Sequence, residues 1–325
     1  MEVAVRPRLD RARVERLVRD ALGPVEFTAH EEFTDGYFNA AHALDTADGR
    51  RLVVKIAPDK GLKLQRYEAD LMGAEIDCFE RAIAAGVPMP RLWHGDPDRG
   101  LMIMDRLSGV TLLSVRETLS REELHGLRRE IGALSARFRD ATGEHFGYRR
   151  PSGRTAADTW SAAFAAMAAD AAADVADGPW TPGLPLPLDA ITAKLNGEKD
   201  LLDEVDRPSL VHFDLWDGNV FVVREDGRWR VEAFIDGERA FYGDPLAELV
   251  ILKFSPGDEL APTVDGFLGR AMTAGEERRL SLYRVYLSLL ILGELGVRGY
   301  GPEDAAFFAD REYRCLEREF AALGY

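Results

Sequence analysis

His212-Phe-Asp214-Leu-Trp-Asp217-Gly-Asn219, followed by Ile235-Asp236-Gly237-Glu238, is the stretch on which the fold turns. Between its halves lie two apolar runs, Val220-Phe-Val-Val223 and Val231-Glu-Ala-Phe-Ile235. They meet around Asp226-Gly227, a turn dipeptide that predicts a β-hairpin. Phosphoryl transfer needs a carboxylate that accepts or orients the attacking hydroxyl, and hard oxygen ligands that hold Mg²⁺ against nucleotide phosphates. An Asp followed five positions later by Asn places a base and a metal ligand on one loop, and Asp236 at the end of the returning strand supplies a second hard ligand. Singly these features are weak, because Asp-Gly is usually only a turn and a lone His is usually a satisfied structural residue. Their order, with strands between them, is the specific signal.

Toward the N-terminus the sequence offers the matching half. Lys55 sits inside the apolar run Arg51-Leu-Val-Val-Lys-Ile56, where an ammonium is costly unless it meets an anion or snorkels to water. A long helical segment predicted over about 61–85 carries Glu68 and Glu75. Either could pair with Lys55; Glu75, deeper in the helix, is the favoured partner, and Glu68 reads as a solvated surface charge. The turn Phe33-Thr-Asp-Gly36-Tyr-Phe-Asn39 lies between two predicted strands, as a phosphate-covering turn should, although a single glycine is a poor cradle signature. Leu101-Met-Ile-Met104 reads as a further strand, and Ser108-Gly109 breaks the pattern after it.

The chain has 325 residues and a formal charge of −15, enough for two lobes with a sizeable core. Its excess of carboxylates argues against a general nucleic-acid binder. Two cysteines outside any CxxC pair argue against a disulfide framework or a Cys-based zinc site. The charged N-terminal stretch and the lack of a ~20-residue apolar run predict a cytoplasmic protein without membrane insertion. Residues 9–22 carry a helical apolar face, closed by Gly23-Pro24. Beyond residue 107 the reading is mainly helical, with helices at about 120–140, 156–177, 187–205, 244–256, 275–296 and 302–323. The Ala-rich run 156–176 reads as a packed surface helix, with a substrate-facing helix as the sharper alternative.

Taken together these residues resemble the aminoglycoside phosphotransferase family, whose kinase-like fold is shared with choline and fructosamine kinases. The resemblance runs from about Phe27 to Leu249. It implies an α+β, bilobal protein-kinase-like fold: residues 1–107 as a small antiparallel-sheet lobe that binds nucleotide, and 108–325 as a larger, mainly helical lobe with the catalytic loop and the acceptor site. It also implies Asp214 as the catalytic carboxylate, Asn219 and Asp236 as Mg²⁺ ligands, and Lys55 with Glu75 as the ion pair under ATP or GTP. His212 would support the loop, Gly36 would cover the phosphates, and backbone groups around Asp105 and Leu107 would hold adenine. Gly243-Asp244-Pro245 matches a family turn and starts a helix. Three departures stand out: Phe213 where the family usually has Gly, Gly237 where it often has a bulky residue, and Trp216 where protein kinases carry Lys.

The implied activity is transfer of a γ-phosphate to a hydroxyl of a small molecule. An antibiotic comes first, an aminoglycoside or a scaffold such as a nucleoside, macrolide or basic peptide; a fructosamine- or choline-like metabolite is the alternative. A protein kinase is disfavoured by Trp216 and by the lack of an Ala-Pro-Glu segment after Asp236. A Walker-type site is excluded by the absence of any Gly-Lys dipeptide. A non-catalytic kinase-like binding protein is expected to have lost the Lys, the catalytic Asp or a metal Asp, and none is lost here. Acceptor contacts from Asp158, Trp160 or Phe164 are a weaker expectation, and the oligomeric state is not legible.

Overall fold

Strands alternate their side chains between two faces, and in the N-terminal part of this computed structural model that alternation sorts core from site. The structure describes residues 7–33, 39–58, 61–62, 64–254 and 257–325. Helix α1 (Arg11–Leu22), N-capped by the Asp10 side chain, precedes β1 (Phe27–Phe33), β2 (Ala40–Thr46) and β3 (Arg51–Ile56). Helix α2 (Leu71–Ala84) follows, then β4 (Leu92–Asp96) and β5 (Leu101–Asp105). The five strands form an antiparallel sheet in the order β1-β2-β3-β5-β4. Leu52, Val54, Ile56, Leu101 and Ile103 pack with Val14 and Val18 of α1, whereas Met102 and Met104 meet Met72, Ile76 and Phe79 of α2 on the other face. Lys55 is in the α2-facing register, paired across the sheet with Met102.

The expected helix over 61–85 forms only in its second half. Arg66–Glu68 is a 3₁₀ turn, and α2 starts at Leu71 behind the Asp70 cap. Glu68 is buried, not solvated, and pairs with Arg298 from the far end of the chain.

After β6 (Val110–Thr111) and the short α3 (Leu112–Val115), α4 (Arg121–Ser135) begins with a Ser120/Glu123 capping box. Helix α5 (Trp160–Ala176) is buried on several sides and so is a core helix, not a surface one. The helix expected over 187–205 is broken near Gly197 into α6 (Leu188–Asn196) and α7 (Lys199–Leu202). Strand β7 (Ser209–Val211) leads into the loop 212–219, and β8 (Val220–Glu225) and β9 (Arg228–Phe234) form the predicted hairpin. Asp226 and Gly227 have φ of 48° and 79°, the two left-handed residues that a two-residue turn with right-handed strand twist requires.

Strand β10 (Phe241–Gly243) pairs with β7, and the helix expected over 244–256 is a 3₁₀ segment, Pro245–Phe254. Helix α8 (Gly257–Leu268) was not anticipated, because Pro262 within it reads as a breaker. It crosses α4 at close range: a Cβ on Gly132 would fall 2.2 Å from the Thr263 carbonyl oxygen, and one on Gly266 would fall 2.0 Å from that of Arg129. Helices α9 (Ala274–Glu294) and α10 (Pro302–Ala322) complete the chain. Buried nearly all round, α9 forms the helical core with α5, its aromatic contacts running through Phe164, Tyr283 and Tyr286. Among the described residues no helix is long and apolar enough to cross a membrane.

Candidate active site

Helix α2 turns Leu71, Met72, Glu75, Ile76 and Phe79 inward, so Glu75 lies on the face that covers the sheet. There its two carboxylate oxygens take the Lys55 Nζ at 2.8 and 2.7 Å. The same ammonium contacts Asp236 Oδ1 and lies 4.0 Å from Glu238 Oε2. One lysine therefore faces three carboxylates from two separate elements, which is the pairing expected from its place in an apolar strand. Burial opposes the charge of Lys55, but the carboxylates outweigh it and raise its pKa. Burial would likewise raise Asp236, yet the Lys55 charge holds it below its ordinary value. Burial pushes Glu75 up to about 7 against the pull of the same lysine.

The loop 212–219 is fixed by hydrogen bonds between its backbone and buried side chains. His212 is fully buried; its Nε2–H donates to the Ile235 carbonyl at 3.0 Å, and its Nδ1 accepts the Asp214 N–H at 3.3 Å. A carbonyl can only accept and an N–H can only donate, so these partners fix the neutral Nε2–H tautomer. Burial pulls its pKa down to about 4, which fits a supporting residue and not a base. Phe213 has φ 67°, in the left-handed region that glycine normally supplies and that costs other residues about 1–2 kcal/mol. Here the phenyl ring offsets that cost. It packs edge-on against Phe241 at 5.0 Å and tilted against Tyr286 at 5.8 Å. Glu248 accepts the N–H groups of His212 and Phe213 from behind. The departure at Phe213 is therefore absorbed by aromatic packing in the helical core.

Asp214 projects from this loop with little exposure. Asn219 Nδ2 donates to its carbonyl at 2.8 Å and to its Oδ2 at 3.2 Å, while Arg239 Nη1 lies 3.7 Å from its Oδ1. Burial raises the Asp214 pKa to about 7, with Arg239 opposing. The Ile235 N–H donates to the Asn219 carbonyl at 3.0 Å, tying the loop to the strand end that carries Asp236. Asp236 itself is left-handed, at φ 68°. Glycine at 237 answers to α2: a Cβ there would fall 2.7 Å from Cys78 Sγ. The volume often filled from this position is filled from the helix instead.

For a divalent cation the oxygen donors are Asn219, whose amide nitrogen is committed to Asp214, and Asp236; the carboxylate oxygens of Glu75, Asp236 and Glu238 lie within 4.8 Å of one another but already surround the Lys55 ammonium. All are hard oxygen donors of the kind Mg²⁺ takes. Nearer the hinge, the Asp105 N–H donates to the Arg91 carbonyl at 3.0 Å, and Trp93 Nε1–H donates to Asp105 Oδ1 at 2.5 Å. Leu107 makes no hydrogen bond among the described residues. Gly36 lies outside the described residues, but Asn39 at the end of that turn donates to Glu238 Oε2 at 3.2 Å.

Four charged residues at the site were not anticipated from sequence: Glu238, Arg239, Glu294 and Arg298. Arg239 bonds Glu294 at 2.8 Å, and Glu294 lies 3.4 Å from Arg298, which reaches Glu68 and Glu238. The Asp236-Gly-Glu-Arg239 run was a signal for the first two, since charges that closely follow Asp236 enter the same pocket. Glu294 and Arg298 carry no local signal. The expected acceptor contacts fare differently: Trp160 and Phe164 are sealed in the core, and Asp158 is exposed beside His145.

The model of a phosphotransferase enzyme family (APH) matches residues 30–283. No curated protein matches the chain. Among solved structures it is similar to a candidate fructosamine-3-kinase from Thermobifida fusca YX-ER1, with 21% identity, 94% of this chain and 98% of that chain covered, and a TM-score of 0.66. It is also similar to the aminoglycoside phosphotransferase APH(4)-Ia (21% identity, 95% and 99% covered, TM-score 0.62). A choline/ethanolamine kinase family protein from Mesorhizobium loti follows (20% identity, 96% and 97% covered, TM-score 0.56). These likenesses establish a protein-kinase-like fold, and the family match runs from within β1 through the Lys55 cluster and the whole of the 212–219 loop: the chain belongs to the phosphotransferase enzyme family.

Proposed function

We propose that this protein is an ATP- or GTP-dependent, Mg²⁺-requiring O-phosphotransferase that acts on a hydroxyl of a small molecule, with an antibiotic as the first acceptor class. The observation that carries the reading is the joining of Lys55, Glu75 and Asp236 in one ion-paired cluster, next to a loop that fixes Asp214 and Asn219. In this reading residues 1–107 are the nucleotide-binding lobe and 108–325 carry the catalytic loop and the acceptor. Lys55, aimed by Glu75, meets the nucleotide phosphates; Asp105 and Leu107 supply backbone groups to the base. Asn219 and Asp236 hold the metal, with Glu238 within reach. The metal, when bound, neutralises phosphate charge.

Asp214 orients the acceptor hydroxyl in line with the γ-phosphate and takes its proton on a carboxylate oxygen as the new O–P bond forms and the bond to the leaving nucleoside diphosphate breaks. Arg239 favours the ionised form that can accept that proton. Catalysis is then mostly positioning and charge stabilisation. APH(4)-Ia has been solved in a ternary complex with AMP-PNP and hygromycin B, which supports nucleotide use by this fold.

Trp216, two residues after Asp214, is 43% exposed, and its indole lies against Gly218. An exposed aromatic face beside the reacting hydroxyl suits an acceptor with a C–H-rich ring or a cationic amine, and the charge of −15 favours a cationic one. A sugar-amine metabolite such as a fructosamine has the same features and is the second reading. The test is a Mg²⁺-dependent turnover screen with ATP and GTP against hydroxyl-bearing antibiotics, fructosamines and amino alcohols, read by product mass. A product gaining one phosphoryl group with wild type and none with Asp214→Ala supports the reading. Near-normal turnover by Asp214→Ala refutes the assigned mechanism, and failure to bind any Mg-nucleotide refutes the kinase reading.

A further inference from the structure

Asp217 sits between the proposed catalytic Asp214 and the proposed metal ligand Asn219, yet the chemistry above gives it no task. It is buried, and so are Arg128 of α4 and Glu259 of α8, at 6%, 1% and 2% exposure. Arg128 Nη1 lies 2.6 Å from Asp217 Oδ1, and its Nε donates to Glu259 Oε2 at 2.6 Å. Arg116, just beyond α3, contacts Asp217 Oδ2 through Nη1 and donates through Nη2 to Glu259 Oε1 at 2.8 Å. The four side chains close a ring of alternating charge in which each carboxylate oxygen has its own guanidinium.

The members come from four places. Asp217 belongs to the catalytic loop, and Arg116 to the segment that follows the inter-lobe linker. Arg128 and Glu259 come from two helices that small residues bring into close contact. The linker segment is attached to the loop a second time, through the Leu113 N–H, which donates to the Asp217 carbonyl at 2.9 Å. Upstream, the Ser108 and Gly109 N–H groups donate to Glu232 of β9 at 2.9 and 2.7 Å. Replacing buried charges by apolar side chains is often neutral or better for stability, so stability alone does not account for a closed ring of four.

We infer that Asp217, Arg128, Glu259 and Arg116 form a positioning device that holds the catalytic loop in fixed register with the inter-lobe linker, so that the loop moves with the nucleotide's hinge and not independently of it. None of the four touches the reacting atoms in this account; they act through Asp214 and Asn219. The inference rests on the phosphotransferase reading for its kinetic consequence but not for its structural one.

The experiment uses the full chain and three variants: Asp217→Asn, Glu259→Gln, and the paired Arg128→Met/Glu259→Leu, which removes two buried charges together and guards against simple misfolding. Two readouts are taken. Hydrogen exchange in peptides spanning 109–118 and 212–219 should quicken by roughly tenfold in Glu259→Gln and in the pair, although neither change lies in those peptides, while α5 and α9 keep wild-type protection. With an acceptor in hand, kcat should fall by roughly tenfold or more, with KM for nucleotide and acceptor shifted much less, and should stay low in the paired variant even where its Tm returns to that of wild type. Faster exchange confined to α8, or wild-type kcat in the paired variant, overturns the inference and leaves the ring a structural brace. Should wild type bind no Mg-nucleotide, the kinase reading fails and the exchange arm alone decides the ring.

Discussion

His212→Gln should make the stability of this protein less sensitive to acid, by an amount that follows from the burial of the imidazole. Unfolded, the ring has its ordinary pKa of 6.5; folded, burial pulls it down to about 4. A group whose pKa is depressed on folding contributes its full stability above the unfolded value and loses it as the pH falls through the window down to the folded value. The window here runs from 6.5 to about 4. Its total is about 3 kcal/mol, of which about 2 kcal/mol is lost between about pH 7.5 and about pH 5. A Gln amide can still donate to the Ile235 carbonyl but does not titrate. The assay is urea unfolding of both proteins at the two pH values. The advantage of wild type over His212→Gln should shrink by about 2 kcal/mol at the lower pH. A gap that stays constant with pH would show that the imidazole is not held neutral, and the tautomer assigned from its two partners would fall with it.

Two further outcomes are expected. Arg239→Gln removes the cation that opposes burial at Asp214, so the acid limb of kcat/KM, set by a carboxyl already raised to about 7, should move to higher pH; an unmoved limb would mean that Arg239 does not act on Asp214. Gly237→Ala brings a methyl to 2.7 Å from Cys78 Sγ and should cost about 1–3 kcal/mol in an unfolding titration. Much of that cost should be recovered in the double variant with Cys78→Ala, and strict additivity in that cycle would refute the packing account.

The parts of the site that were legible in the sequence are those carried by local pattern. The β8–β9 hairpin announces itself through Asp226-Gly227, and the five-residue spacing of Asp214 and Asn219 places both on one loop. Lys55 could be chosen because an ammonium in an apolar strand has to find anions. Glu75 could be chosen by its depth in the helix, even though the first half of that helix is a turn. What could not be read depends on contacts between distant parts of the chain. Glu68 looks solvated until Arg298, 230 residues later, is brought beside it. Glu248 has no visible purpose until the loop N–H groups it accepts are folded over it. Helix α8 was hidden by Pro262, a local signal that tertiary packing against α4 overrides.

Two of the departures, at Phe213 and Gly237, have a common physical form. At Phe213 a left-handed backbone that glycine would adopt freely is kept by a large side chain, because Phe241 and Tyr286 bury it and Glu248 ties its N–H. At Gly237 the reverse holds: a position often filled is empty because Cys78 fills the space from α2. In both cases the backbone of the site is preserved while the supporting volume is moved to another element. The consequence is directional. Phe213 anchors the catalytic loop to the helical core under α9, and Cys78 anchors the Asp236 turn to the helix that aims Glu75. Substitutions in α2 at the Cys78 level should therefore disturb the Lys55 cluster, and substitutions around Tyr286 should disturb Asp214, although neither set approaches the reacting atoms.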